Sequence, residues 1–89
     1  LIMPKLETKK INKKKETEIA TLNTKENLNI LVKEWKKLSD IKTLKIYFVN
    51  TKLKTENFWA LKPYVHNMIS EKSSLKQGLK TLFNSVKSM

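Results

Sequence analysis

The sequence predicts an all-α fold: an antiparallel helical hairpin or three-helix unit, residues 21–89, behind a basic, extended N-terminal arm, residues 1–20. Three observations predict it. Apolar residues recur at steps of three and four along most of the chain after Asn23, the spacing of one helical face. The chain holds one glycine and no Asn-Gly or Asp-Gly pair, so a sheet would lack the tight turns that close hairpins. The most strand-like block, Ile46-Tyr47-Phe48-Val49, is continuously apolar, where a half-buried strand alternates.

Taken in order, residues 1–20 mix six lysines and three glutamates with one proline and no sustained periodicity. Such a segment buries too little apolar surface to offset the entropy of ordering it. Asn23 followed by Glu26 resembles a capping box, and Leu28, Leu31, Val32, Trp35 and Leu38 then mark a first helix. Ser39 offers a capping hydroxyl and Asp40 a first-turn carboxylate, so a second helix is expected to open there. Ile41, Leu44, Tyr47 and Phe48 form its main stripe, with Ile46, Val49 and Leu53 beside it. It can run on through Phe58, Trp59 and Leu61 until Pro63 ends or kinks it near Lys62. Residues 70–74 are turn-like. Leu75, Leu79, Leu82, Phe83 and Val86 mark a last short helix, which Gly78 weakens by about 1 kcal/mol.

Composition bounds the function. At 89 residues the chain forms one small domain. Its 19 basic residues against 8 acidic ones leave a formal charge of +11. A polyanion relieves such self-repulsion and releases its own counterions on contact. Nucleic acid is therefore the leading partner class, an anionic membrane surface comes next, and a merely solvated helical protein is the plain alternative. Every basic residue is lysine. Lysine lacks the planar fork that reads guanine edges, which favours backbone and shape contacts over sequence reading. Abundant lysine, asparagine and isoleucine also point to an A+T-rich genome.

Catalytic raw material is scarce, and no enzyme activity, cofactor or metal is expected. Cysteine is absent, which removes thiolate nucleophiles and zinc knuckles. His66 is the lone histidine, and Gly78 alone cannot make a phosphate-cradling loop. No apolar run approaches the roughly 20 residues that span a bilayer.

Two blocks resemble a known family. Lys33 to Ser39, KEWKKLS, is similar to the Glu-Leu-Arg-x-Lys-Ser motif of the large-subunit ribosomal protein numbered twenty-nine, with Trp35 at the leucine, Lys36 at the arginine and Ser39 at the serine that opens a long helix. Lys45 to Lys54, KIYFVNTKLK, resembles the Lys-Leu-Trp-Tyr-Val-Leu-Leu-Lys-Glu-Lys run of its mitochondrial members. Ile46, Tyr47, Phe48, Val49, Lys52 and Lys54 fall on matching positions. The last helix suits the family's second helix in pattern, and lysines stand where the family has arginines.

The resemblance implies a structural constituent of the large ribosomal subunit, near the nascent-chain tunnel exit, with ribosomal RNA and neighbouring ribosomal proteins as partners. It implies a mitochondrial setting, with a plastid or the cytoplasm of an A+T-rich organism as alternatives. Lysines on outer helical faces would neutralise RNA phosphates. The candidates are Lys36, Lys37, Lys45, Lys52, Lys54, Lys76 and Lys80, with Lys9, Lys10, Lys13, Lys14 and Lys15 in the arm. Aromatics such as Trp59 or Tyr64 could stack on a base or a neighbouring protein if exposed, with core packing the favoured alternative. Two other readings are a helical protein-interaction subunit of another assembly and a small basic DNA-binding protein that uses Ser39-Asp40 as a helix-turn-helix turn.

Overall fold

Between Lys45 and Asn50 the chain is a strand and not a helix. The computed structural model describes residues 2–11 and 18–89, apart from the side chain of Lys72. Its elements are β1 (Ile2–Met3), β2 (Glu18–Leu22), α1 (Lys25–Lys33), α2 (Trp35–Ser39), β3 (Lys45–Val49), β4 (Phe58–Leu61), α3 (Pro63–Ile69) and α4 (Lys72–Asn84). A 3-10 turn, Thr8–Lys10, lies between β1 and β2. The all-α expectation is thus overturned: the fold is α/β, with a four-stranded mixed sheet in the order β1-β2-β3-β4. β1, β2 and β3 run parallel and β4 returns antiparallel. The helical hairpin that the ribosomal resemblance implies is absent, and the residues that carry it form α2 and β3.

The physical reason lies in β3. Its burial alternates, with Ile46 and Phe48 fully buried while Lys45, Tyr47 and Val49 are half-buried. The alternation is hidden in the sequence because the outward positions are apolar too, as strands with two apolar faces commonly read. Turn chemistry was the second obstacle. β2 and β3 are parallel and joined through α1 and α2, a connection that needs no tight turn. The β3–β4 connection is built on asparagine: Asn50 Oδ1 accepts from Lys52 N at 2.9 Å, and Asn50 N donates to Asn57 O at 2.7 Å. Glu56 takes the left-handed backbone there at φ 48°, a role glycine usually fills.

The inward side chains of the sheet, among them Met3, Ile19, Ile46, Phe48, Trp59 and Leu61, share one core with Leu28 and Leu31 of α1, Trp35 and Leu38 of α2, and Leu79 and Phe83 of α4. Phe48 and Trp59 stack with centroids 4.3 Å apart and planes 7° from parallel. Among the described residues, the helices pack against the side of the sheet that carries these side chains. Met3, Leu6 and Ile11, from the expected arm, are buried in this core, and the expected boundary after residue 20 falls inside β2.

Three local expectations are corrected. α1 is capped by Thr24, whose hydroxyl accepts from Asn27 N at 3.1 Å, and not by Asn23, which is buried. Ser39 closes α2, its hydroxyl donating to Lys36 O at 3.3 Å, and opens no long helix. Pro63 begins α3, because at the first helical position its missing N–H has no intrahelical acceptor to lose.

Buried asparagines hold the chain ends. Asn27 Oδ1 accepts from Leu6 N at 2.8 Å, and its Nδ2 lies 2.9 Å from Pro4 O and from Leu22 O. Asn23 Oδ1 accepts from Trp59 Nε1 at 2.8 Å while its Nδ2 donates to Val86 O at 3.2 Å. Asn50 Nδ2 donates to Lys87 O at 2.8 Å.

Gly78 sits inside α4 with negative φ, and a Cβ there would meet only His66 Nε2 at 3.9 Å, an ordinary contact. Gly78→Ala should therefore raise the unfolding free energy by about 0.5–1 kcal/mol through helix propensity and unfolded-state entropy. Urea denaturation checks it, and a loss of stability would show that the site is tighter than this geometry.

Candidate nucleic-acid interface

Strand parity sends Glu18, Ala20 and Leu22 of β2, Lys45, Tyr47 and Val49 of β3, and Phe58 and Ala60 of β4 to the opposite side of the sheet, where none of the described helices packs. Register arranges them in rows. Ile2, Ala20, Tyr47 and Ala60 lie side by side across all four strands, Leu22, Val49 and Phe58 form the next row, and Glu18 faces Lys45. Ile2 and Phe58 are exposed at 80% and 54%.

Two aromatic rings stand together here. Tyr47 and Phe58, diagonal neighbours on antiparallel strands, have centroids 5.9 Å apart and planes tilted by 52°. Alanines flank Tyr47 on both sides of its row, so its directly paired neighbours on β2 and β4 are small. Lys45 Nζ lies 4.9 Å from the Tyr47 centroid, within cation–π range, and the Tyr47 hydroxyl is 3.4 Å from Glu18 Oε1. Two depressions lie on the β1 side, both lined by Ile2 and Ala20: one of about 180 Å³ that Tyr47 borders, and one of about 210 Å³ that Leu22 and Val49 border.

Lysines mark both ends of this face. Lys62 follows the Ile46–Leu61 pair and so shares an end of the sheet with Lys45, while Lys52 and Lys54 are exposed in the connection at the opposite end. The remaining candidates go elsewhere. Lys36 and Lys37 are exposed on α2, with Lys37 Nζ 4.0 Å from Glu34, and Lys76 and Lys80 are exposed on α4, all in the helical layer. Lys9 and Lys10 are exposed in the 3-10 turn, where Lys10 pairs with Glu7 at 3.3 Å. Lys13, Lys14 and Lys15 lie outside the described residues. Of the expected lysines, Lys36, Lys37, Lys76 and Lys80 do lie on exposed helical faces, whereas among the described residues Lys45, Lys52 and Lys54 go with the open sheet.

Of the two aromatics weighed between stacking and core packing, Trp59 takes the core. Trp59 is buried and hydrogen-bonded to Asn23, and Tyr64 is half-buried with Lys42 Nζ 5.9 Å from its ring centroid. Tyr47 and Phe58 take the stacking place. The signal for them was the apolar parity of residues 45–49, legible only once the segment is read as a strand.

His66 packs edge-on against Trp35, centroids 5.8 Å apart, and partial burial lowers its pKa from the ordinary imidazole value. The folded state therefore disfavours the protonated ring. Stability should be full above the unfolded-state pKa and decline as pH falls through it, because the unfolded chain then binds the proton more readily. Thermal unfolding followed from pH 8 to about pH 5 should show this decline, and His66→Gln should flatten it. An unchanged slope in the variant would assign the decline to other groups.

Among the described residues no three histidine or acidic side chains gather as they would around a metal ion, and no helix is long and apolar enough to cross a membrane. No family model, no curated protein and no solved structure matches the chain.

Proposed function

We propose that this chain binds single-stranded nucleic acid, RNA foremost, across the open face of its sheet. The observation that carries the proposal is the Tyr47–Phe58 pair, two rings presented together on the uncovered face of a chain with net charge +11. Bases stack on such rings whatever their identity, because every base has a π-face. Lys45 and Lys62 at one end, with Lys52 and Lys54 at the other, supply cations for the phosphates of a strand running along β3. A base arriving on Tyr47 displaces Lys45 from the ring and frees its ammonium for phosphate. The absence of arginine makes this readout sequence-tolerant. The ribosomal setting implied by the resemblance is not carried into the proposal, because it rests on a helical hairpin.

Fluorescence anisotropy with a labelled oligoribonucleotide of about twelve nucleotides tests it. Tyr47→Ala and Phe58→Ala should each weaken binding by about tenfold, at the low end of the 1–3 kcal/mol that a stacked base contributes. The log–log salt slope should be steep, at about −0.7 per phosphate neutralised. Equal affinity of both variants and the parent chain, or duplex RNA bound as tightly as the single strand, would overturn the reading. The apolar neighbours Ile2, Leu22 and Val49 favour one rival, self-association through the same face. Sedimentation of the free chain as a dimer that RNA does not dissociate would establish it.

A further inference from the structure

β4 is the outer strand on one side of the sheet, and among the described residues no strand pairs with its far edge. The hydrogen bond from Asn50 N to Asn57 O fixes the ladder phase. Bonded pairs alternate along an antiparallel ladder, so Trp59 and Leu61 turn their backbone groups toward β3, and Phe58 and Ala60 turn theirs to the open edge. Natural edges are blunted by charges, prolines or bulges. β4, Phe-Trp-Ala-Leu, has none of these within it, and Lys62-Pro63 comes only after its end.

Directly beside this edge lies a depression of about 580 Å³ between α3 and α4. Ala60 and Leu61 form its β4 wall, and Val65, Ile69 and Leu82 make it apolar. Ile69 is 77% exposed and Val65 45%. No carboxylate lines it, and Lys62 stands at its β4 end.

We propose that the β4 edge and this groove together take an extended, acidic and apolar segment of a partner protein as a fifth strand. The outward N–H and C=O groups of Phe58 and Ala60 supply the ladder, and alternate apolar side chains of the incoming strand enter the groove between Val65, Ile69 and Leu82. Charge selects the occupant. A second copy of this chain would bring another +11 against the edge, whereas carboxylates on the incoming strand meet Lys62 at one end of β4 and Lys52 and Lys54 beyond the other. Glu56 is the one acidic group in that connection. This proposal shares Lys52, Lys54 and Lys62 with the nucleic-acid reading but is carried by the strand edge and the α3–α4 side, not by the Tyr47 ring.

The test uses the whole chain and synthetic peptides of about eight residues that alternate Asp or Glu with Val, Ile or Leu. NMR titration should shift the amide signals of residues 58–61 and the side-chain signals of Ile69 and Leu82. Ile69→Lys, at an exposed position, and Ala60→Pro, which removes an N–H that no neighbouring strand uses, should each reduce affinity by at least about tenfold. Lys-for-Asp peptides should not bind, nor should acidic peptides N-methylated at the amides facing β4. Tyr47→Ala should leave peptide binding unchanged, which separates this site from the RNA reading. Failure of every acidic peptide to bind, or binding that Ile69→Lys in a folded chain leaves intact, would overturn the proposal. So would the appearance of a dimer paired through β4.

Discussion

Phe48→Ala should lower the unfolding free energy by about 4 kcal/mol, in the range of buried aromatic truncations, whereas Tyr47→Ala, one position away, should cost about 1 kcal/mol or less. Phe48 is fully buried and lies flat on Trp59 at 4.3 Å, so its removal leaves a cavity under the centre of the sheet and strips one face of the indole. Tyr47 points the other way, toward solvent, Phe58 and Lys45. The contrast is a direct test of strand parity, since adjacent strand residues face opposite sides. Urea unfolding of both variants measures it, the denaturation midpoint moving while the slope stays constant. Similar losses at 47 and 48 would contradict the sheet through the middle of the chain.

Asn23→Ala should cost about 3 kcal/mol, several times the effect of an exposed asparagine. Its carboxamide is fully buried, accepts from Trp59 Nε1 at 2.8 Å and donates to Val86 O at 3.2 Å. Truncation orphans the indole N–H inside the core and releases a carbonyl of the C-terminal tail. A buried donor without a partner costs its full desolvation, which exceeds the net value of the bond it replaced. Near-ultraviolet circular dichroism of the tryptophans should change along with the urea midpoint. A variant as stable as the parent would mean that water or a shifted tail carbonyl replaces the carboxamide.

The helical half of this fold was legible because its faces differ in polarity. Leu28, Leu31, Trp35 and Leu38 in α1 and α2, Leu79 and Phe83 in α4, and Val86 just after it all stand at the spacings that marked them and are all buried. The strands were illegible for the opposite reason. In β3 both faces are apolar, so period two vanished, and Ile41 and Leu44 ahead of it extended the helical spacing into the strand by coincidence. Asparagine concealed the rest: Asn23, Asn27 and Asn50 read as polar punctuation or genomic bias, yet they are the buried fasteners of the fold. Net charge pointed to a polyanion, and the ribosomal resemblance named Lys45, Lys52 and Lys54 among the lysines that would meet it. Tyr47 and Phe58 were not, because which aromatic meets solvent depends on strand parity, and a helical reading assigns it wrongly.

The asparagine fasteners have a dynamic consequence. Asn23 joins the end of β2 to Trp59 of β4 and to the residues after α4, while Asn50 holds Lys87 from the start of the β3–β4 connection. Segments that usually fray first are thereby wired to the sheet's midline. The amide of Met89, bonded to Asn23 O at 2.9 Å, should exchange with deuterium on the schedule of the interior strands.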